Sequence, residues 1–240
     1  YGITRLAFEH NRLSFFEYEH LCQKFTKCQL DPLDQLVELQ RAVKSRDEVD
    51  KIGKSTTLNS LAFEKVCSRA VPEWTELRMA AEIEYEMRFL GATGKAFDTI
   101  VASGIRSALP HATPGHSLLL RNSPIIVDHG AILDGYASDM TRVICFGRPD
   151  AAFYELHEAV KEAQVAAVAT VKAGVRAGIV DQKARQVLGE FNLEEAFTHS
   201  TGHGIGLEIH ELPRVNSTGD VRLVSGMVIT IEPGGCIEWV

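Results

Sequence analysis

Two aspartates in the segment IIVDHGAILDGYASDMTRVICFG have a spacing that brings them together if the segment folds as a hairpin. Asp134-Gly135 favours a two-residue turn between apolar, β-rich runs, and that turn pairs Asp128 with Thr141. Because side chains alternate between the two faces of a strand, Asp139 then projects from the same face as Asp128, roughly 7–8 Å away. The spacing therefore predicts a pair of neighbouring carboxylates.

Such a pair of carboxylates indicates a cation site only if it lies in an apolar environment and has further ligand-type residues nearby. Two like charges in an apolar environment repel, and one of them stays protonated unless a cation lies between them. The plainer interpretation is that Asp128 and Asp139 are turn and strand-end acids on a solvated face, and for an isolated pair it is preferred. Asp139, however, lies in strand-like sequence, where aspartate is disfavoured. A metal site becomes the better hypothesis if further ligand-type residues exist elsewhere.

Three histidines are concentrated in the glycine-rich segment FTHSTGHGIGLEIHELP. Glycine lets the backbone approach a ligand closely, and imidazole supplies a metal-binding or proton-transfer group near neutral pH. Taken singly, each of His199, His203 and His210 is more often a surface or structural residue than a ligand. Their concentration in one glycine-rich loop favours a functional site.

Glu232 ends the apolar run MVITIE, immediately before Pro233-Gly234. A strand end that faces a cleft explains a charged side chain at this position. A solvated acid at a turn explains it equally well if no other observation is considered. The residue is therefore a candidate only in combination with the aspartates and histidines.

Helical and strand-like patterns alternate along the chain in an order that could position these residues. A long helical pattern runs from Gln35 to about Arg69, and a second helix ends before Gly91. Strand-like segments, two more helices and a last strand follow, in FDTIVAS, SPIIVDHGAIL, YASDMTRVICFG, AAFYELHEAVKEAQVAAVATVKAG, VDQKARQVLGEF and MVITIE. Two rounds of a helix pair followed by strands predict an α+β domain with an internal duplication. The repeated dipeptide Ala96-Phe97 and Ala196-Phe197 is a weak echo of that duplication.

The first residues are predicted to belong to a different domain. A short strand in YGITRLAFE is followed by a helix in SFFEYEHLCQKF, for which Ser14 is a suitable cap, and the pattern breaks at Pro32. Because this stretch is too short to bury a core of its own, we expect residues 1–33 to be the remnant of a preceding domain and residues 34–240 to form the main domain.

Composition and charge exclude several classes of function. The 240 residues are 45% hydrophobic and carry a net charge of −7, so the chain can bury a core and does not favour a phosphate backbone or an anionic membrane. The five cysteines show no CxxC spacing, which argues against a disulfide framework and predicts a reducing, cytoplasmic location. No apolar run approaches the ~20 residues that span a bilayer. Small-molecule or peptide chemistry is the expected activity.

The ordered set of motifs SGIRSALPHATPG, VDHGAILDGYASDMTR, HSTGHGIGLEIHE and ITIEPG resembles the prolidase and aminopeptidase P branch of the M24 metallopeptidases, which have the pita-bread fold. The resemblance covers the chain from about Leu36 to Val240. It implies a pita-bread domain with a pseudo-twofold duplication. It also implies that residues 1–33 are the end of the N-terminal domain of that family.

The resemblance assigns roles to individual residues. It implies that Asp128 chelates one metal ion, that Asp139 bridges two, and that His203 and Glu232 bind the second. Thr141 is similar to a hydroxyl residue that steadies a ligand carboxylate. His111, His199 and His210 are similar to the imidazoles that line the substrate site, so the catalytic set implied is His111, His199, His210 and Glu232.

The resemblance implies hydrolysis of the peptide bond before proline, as in an Xaa-Pro dipeptidase or aminopeptidase. The oxygen-rich ligand set suits two divalent ions, with manganese as the leading expectation and cobalt or zinc as alternatives, and the dinuclear centre activates a hydroxide. The family has a fifth ligand, a glutamate in an Arg-Ile-Glu-type strand after the EPG motif, which the sequence up to Val240 does not contain. We therefore expect a fragment with weakened metal binding and doubtful activity.

Two alternative functions are consistent with the same motifs. One alternative is an exopeptidase similar to methionine aminopeptidase, and the other is a non-catalytic peptide-binding module with the same fold. The expected partner is a short peptide with proline at its second position, with no nucleic acid and no membrane. A homodimer is expected for the full-length parent.

Overall fold

The computed structural model describes residues 2–235, and the chain divides into two compact units, Tyr1–Arg41 and Ala42–Val240. The first unit contains strand β1 (Arg5–Glu9), helix α1 (Phe15–Lys24) and strand β2 (Gln29–Leu33), and helix α2 (Leu36–Ala42) begins within it. The two strands pair in parallel across the α1 crossover. That residues 1–33 are the remnant of a preceding domain stays a prediction.

A local capping signal sets the start of α1. The Ser14 hydroxyl accepts the Glu17 N–H while the Glu17 carboxylate accepts the Ser14 N–H, so two helix-end donors are satisfied. The predicted cap at Ser14 is confirmed. The predicted break at Pro32 is wrong, because β2 continues through Pro32 opposite Phe8. A two-stranded sheet consists of edges, where the missing N–H of proline is tolerated.

The first helix pair of the second unit is formed by α3 (Arg46–Cys67) and α4 (Glu76–Phe89). The single helix predicted from Gln35 to about Arg69 is wrong, since the helical pattern is interrupted between α2 and α3. Ser45 and Glu48 form a second capping box that starts α3. Just before it, the Lys44 N–H donates to the Gly226 carbonyl instead of continuing a helix.

Two small antiparallel sheets pack against this helix pair. One has the order β4 (Ile100–Ser103), β5 (Ile125–His129) and β8 (Met140–Ile144), and the other has the order β3 (Gly94–Lys95), β6 (Ala131–Leu133) and β7 (Tyr136–Ala137). A 3-10 helix (Gly104–Ala108) follows β4. The buried core between helices and strands is made of side chains from α3, α4, β4 and β5, including Val66, Met79, Ile83, Val101, Ile125 and Val127.

The second helix pair is formed by α5 (Ala151–Thr170) and α6 (Ala177–Glu190) and is followed by the antiparallel strands β9 (Gly202–Gly204) and β10 (Glu211–Val215). Ala159, Ala163 and Ala167 lie on one face of α5 and are fully buried, which lets the two helices pack closely. Helices, strands, helices and strands therefore follow in the predicted α+β order.

The strand predicted at MVITIE forms only isolated bridges, from Met227 to Val43 and from Ile229 to Gly204. The ladder is interrupted because the His203 N–H donates to the hydroxyl of Thr230 rather than to a backbone carbonyl. Backbone bonds from Thr230 N–H to His203 and from Glu232 N–H to Thr201 nevertheless keep the segment extended beside β9. The predicted strand is therefore wrong, because residues 227–232 do not form a regular strand, although they run extended beside β9.

A buried ion pair connects the start of α3 to β10. The Lys44 ammonium lies 2.9 Å from the Glu211 carboxylate, and their side chains are 2% and 4% exposed. Removing the lysine from such a pair leaves the glutamate charge buried without its ion-pair partner. We therefore expect Lys44→Met to lower the free energy of unfolding by about 3–5 kcal/mol, measured by denaturant titration.

Lys161→Met is the matched control for this prediction. The Lys161 ammonium lies 3.0 Å from the Glu158 carboxylate on an exposed face of α5. Solvent screens that pair, so the loss is expected to be at most about 1 kcal/mol. Equal losses of unfolding free energy in the two variants would show that burial does not strengthen the effect of losing the ion pair.

Four cysteines of the described part of the chain, Cys22, Cys28, Cys67 and Cys145, are free thiols. Cys236 lies outside residues 2–235. Within those residues, every helix is too short or too polar to cross a membrane.

Candidate metal centre

The predicted hairpin around Asp134-Gly135 is confirmed. Both turn residues have positive φ, 50° and 82°, as a two-residue turn of the primed type requires. The register pairs Asp128 with Thr141, and the Thr141 hydroxyl donates to Asp128 Oδ1 over 3.0 Å. Local sequence therefore places a hydroxyl donor directly on the first candidate carboxylate.

Asp139, His203 and Glu232 converge although they lie far apart in the sequence. His203 Nε2 is 3.3 Å from Asp139 Oδ2 and 3.1 Å from Glu232 Oε1. One ligand atom from each of the three residues lies within 4.8 Å of the others. Asp128 is outside that group, but it is close enough for its carboxylate to interact with the charges of all three. The four predicted ligands therefore line one site.

Glycines allow the close backbone packing that brings His203 to the carboxylates. Gly202 is pressed against the backbone of Thr230, and Gly204 is pressed against the carbonyl of Leu212, with no room for a Cβ atom in either position. The His203 Nδ1 lies 2.9 Å from the carbonyl of Gly204, which directs Nε2 towards Asp139 and Glu232.

Thr230 is a site residue that the sequence analysis missed. Its hydroxyl donates to Glu232 Oε1 over 2.7 Å and accepts the His203 N–H over 3.0 Å. It therefore connects two candidate ligands. The available signal was its position two residues before Glu232, because residues with that spacing project from the same face of extended chain.

We expect Thr230→Val to weaken Mn²⁺ binding by about 10–100-fold, the range found when a group that orients a metal ligand is removed. Valine has nearly the same shape but cannot hold the Glu232 carboxylate or accept the His203 N–H. Isothermal titration calorimetry measures the effect, with Thr230→Ser as the control that keeps the hydroxyl. Equal affinities for the valine and serine variants would contradict the role given to this hydroxyl.

The electrostatics of the site favour a positive charge at its centre. Burial raises the pKa of Asp128 to about 7, and the Asp139 carboxylate adds to the increase. Burial opposes protonation of His203, but its hydrogen bonds to Asp139 and Glu232 outweigh burial and raise its pKa to about 10. Burial also acts to raise the pKa of Glu232, yet hydrogen bonds from His203 and Thr230 lower it below its usual value.

The residues present fit a divalent cation. Two carboxylates and one imidazole present ligand atoms to one point, and a third carboxylate lies beside them. In the metal-free protein the protonated imidazole of His203 supplies the positive charge that these carboxylates attract. A metal ion can replace that proton, since metal binding requires the neutral form of histidine.

His111, His199 and His210 all line the cleft that contains the candidate ligands, a cavity of about 1920 Å³. The His210 ring lies 4.4 Å from that of His203, and burial and the His203 charge lower the pKa of His210. The His199 ring packs edge-on against Phe197 with 4.8 Å between centroids. His111 lies on the loop after the 3-10 helix and is exposed. None of the three joins the close ligand group among the described residues.

The fifth ligand of the family is expected after the EPG motif, and residues 236–240 of that region lie outside the described part of the chain. Glu238, which follows Glu232 in the sequence, lies outside residues 2–235. The two-ion centre expected from the family resemblance therefore stays a prediction. The described residues group three ligands at one point.

Comparisons with known proteins agree with this geometry. The sequence model of metallopeptidase family M24 matches residues 50–239. The Xaa-Pro dipeptidase of Pyrococcus horikoshii is 39% identical over 233 residues, which cover 97% of this chain and 66% of the relative.

Two solved structures at 38% sequence identity are also similar to this chain. The prolidase from Pyrococcus horikoshii OT3 superposes with a TM-score of 0.94, covering 99% of this chain and 68% of that one. The X-Pro aminopeptidase from Thermotoga maritima MSB8 superposes with a TM-score of 0.92, covering 98% and 67%. The chain spans about two thirds of the length of the curated relatives it matches.

Proposed function

The chain belongs to metallopeptidase family M24 and has the pita-bread fold of that family, and from this premise we propose that it hydrolyses the peptide bond before proline in short peptides. The convergence of Asp139, His203 and Glu232 within 4.8 Å carries the proposal, because this is the donor set a hydrolytic metal centre needs. The name Xaa-Pro dipeptidase given to a relative of 39% identity supports proline as the directing residue.

We propose that Asp128, Asp139, His203 and Glu232 hold two divalent ions, with manganese as the first choice and cobalt or zinc as substitutes. Carboxylate oxygens with a single imidazole suit hard or borderline ions. Ions bound there would supply a hydroxide nucleophile near neutral pH and polarise the scissile carbonyl. The Thr141 and Thr230 hydroxyls keep two of these carboxylates in place.

The side chains of the cleft divide the remaining work of hydrolysis. Glu232 is a carboxylate at neutral pH, like any glutamate whose pKa is not raised. Its carboxylate is proposed to accept a proton from water and to return it to the proline nitrogen as that group leaves. His210 is neutral at that pH because its pKa is also lowered. Its N–H can donate to the oxygen that becomes negatively charged in the tetrahedral intermediate.

His111 and His199 are proposed to orient the peptide in the cleft. Both lie on its wall outside the close ligand group, where they can contact substrate without competing for metal. The carboxylates at the site are also proposed to attract a free substrate amine, which would favour cleavage of the first peptide bond. A short peptide with proline in the second position is therefore the proposed substrate.

Cleavage of matched peptides tests the proposal. Metal-stripped protein restored with Mn²⁺ is expected to hydrolyse Ala-Pro or Ala-Pro-Ala and to leave Ala-Ala and Ala-Ala-Ala intact. The relative rates on the dipeptide and the tripeptide separate dipeptidase from aminopeptidase activity. Cleavage of a Met-Ala peptide with no cleavage before proline would instead identify an exopeptidase of the methionine aminopeptidase kind.

Elemental analysis tests the metal centre independently of cleavage. The Mn-restored protein is expected to hold about two ions per chain, as a dinuclear hydrolytic centre requires. Protein that binds no metal after supplementation would contradict the proposal and favour a peptide-binding module. A cytoplasmic location and a homodimer of the full-length parent are proposed separately, and light scattering of the purified full-length protein tests the homodimer.

A further inference from the structure

Two loops carry the cleft histidines His111 and His199, and each is tied to a buried carboxylate on the second helix of its helix pair. We propose that the pairs Glu76–Arg106 and Asp181–Arg185 are positioning residues that hold these two loops in the cleft wall. The inference deepens the proposed function and rests on it for the substrate contacts of the two histidines.

Glu76 closes both ends of the loop that carries His111. It is fully buried at the start of α4, and its carboxylate accepts the N–H of Ser103 over 2.9 Å and the N–H of Gly115 over 3.1 Å. Those two N–H groups bracket the loop. A single carboxylate therefore fixes the distance between the residues at which the loop leaves and rejoins the core.

Arg106 extends this anchor into the loop itself. Its Nε lies 3.1 Å and 3.2 Å from the two oxygens of Glu76, and its Nη2 donates to the Thr113 carbonyl over 2.7 Å. Thr113 is two residues beyond His111. The guanidinium therefore connects the buried carboxylate to the backbone near His111 and restrains that part of the loop.

Asp181 holds the loop that carries His199 in the same way. It is fully buried on α6, and its Oδ1 accepts the Thr201 N–H over 3.2 Å and the Thr201 hydroxyl over 2.8 Å. Thr201 is also the residue whose carbonyl accepts the N–H of Glu232. The anchor thus fixes the C-terminal side of the histidine and the backbone next to a candidate ligand.

Arg185 fixes the other side of this loop. Its Nε donates to Asp181 over 2.8 Å, and its remaining nitrogens donate to the carbonyls of Phe197 over 2.8 Å and His199 over 2.7 Å. The guanidinium also lies 4.4 Å from the centre of the Phe197 ring. Phe197 packs in turn against the His199 ring, so both backbone and side chain of the histidine are restrained.

The shared arrangement explains why a carboxylate is buried at each of these places. Each carboxylate accepts at least one backbone N–H of a cleft loop, and each arginine donates to at least one backbone carbonyl of the same loop. Hydrophobic side chains could stabilise the fold equally well but could not satisfy these loop groups. If the pairs only stabilised the fold, losing one would loosen the whole molecule rather than one loop.

Hydrogen exchange resolved by segment, with the variants Glu76→Gln, Arg106→Lys, Asp181→Asn and Arg185→Lys, tests the inference. The first two are expected to speed exchange in residues 104–116 about tenfold, as loss of one charge-assisted hydrogen bond predicts, and to leave residues 197–203 unchanged. Asp181→Asn and Arg185→Lys are expected to speed exchange in residues 197–203 by a similar factor and to leave residues 104–116 unchanged. Each loop is thus the control for the other, and the lysine variants keep the charge if an amide variant does not fold.

Peptide kinetics supply a second readout on the same variants. A loosened loop should raise KM for Ala-Pro more than it lowers kcat, while the number of Mn²⁺ ions bound stays unchanged. Exchange that speeds up equally in both segments, or does not change, would overturn the inference. If the unmutated protein bound metal but cleaved nothing, the proposed function would fail while the exchange result still decided the role of the anchors.

Discussion

Asp139→Asn is expected to reduce Mn²⁺ affinity by more than about 100-fold and to abolish metal-dependent cleavage before proline. Asp139 Oδ2 lies 3.3 Å from His203 Nε2, and Asp139 is the ligand candidate whose charge most raises the pKa of the neighbouring Asp128. Removing a group that only orients a ligand costs about 10–100-fold in affinity, so removing a ligand itself should cost more. Asparagine keeps the size of the side chain but loses its charge.

Calorimetric titration with Mn²⁺ and an Ala-Pro cleavage assay measure this effect. Asp134→Asn is the matched control, since Asp134 lies exposed in the turn of the same hairpin with positive φ, a conformation that asparagine also adopts readily. The control is expected to bind metal and cleave peptide like the unmutated protein. Unchanged affinity in Asp139→Asn would remove Asp139 from the ligand set.

His203→Ala is expected to have an effect of similar size on metal binding and an additional effect on the metal-free protein. The imidazole contacts both Asp139 and Glu232, at 3.3 Å and 3.1 Å. Without it, the carboxylates of the site repel each other with no positive charge between them. We therefore expect the free energy of unfolding of the metal-free protein to fall by about 1–3 kcal/mol.

Two measurements separate these consequences of His203→Ala. Calorimetry with Mn²⁺ reports the loss of the ligand, and denaturant unfolding in the presence of EDTA reports the loss of the imidazole charge. His116→Ala is the control, because His116 is exposed and does not line the cleft. A variant that still bound Mn²⁺ tightly would show that the cluster of three residues is not the metal site.

Structural features that depend on neighbouring residues could be predicted from the sequence. The Asp134-Gly135 turn fixes the register of its hairpin by itself, so the pairing of Asp128 with Thr141 could be predicted. The Ser14 cap is equally local. The break before α3 had a local signal too, the capping box of Ser45 and Glu48, but the helical pattern on both sides of it concealed the interruption.

The irregular path of residues 227–232 shows the limit of local patterns. MVITIE has the composition of a strand, yet its regular pairing depends on whether the facing chain offers N–H and C=O groups in the right order. The facing N–H of His203 is used by the Thr230 hydroxyl. The accepting hydroxyl belongs to the segment, but the donor that it binds is 27 residues away in the sequence, so the six residues alone could not predict this bond.

The alternation of helix pairs and strands, the register of the carboxylate hairpin and the family motifs with their candidate ligands could be predicted from the amino-acid sequence, although one helix boundary and one strand could not. Only the tertiary structure decided that Asp139, His203 and Glu232 meet at one point, and that Glu76 and Asp181 reach into the loops of the two cleft histidines. The physical reason is that periodicity and turn chemistry act over a few residues, whereas convergence of distant side chains is set by how whole elements pack.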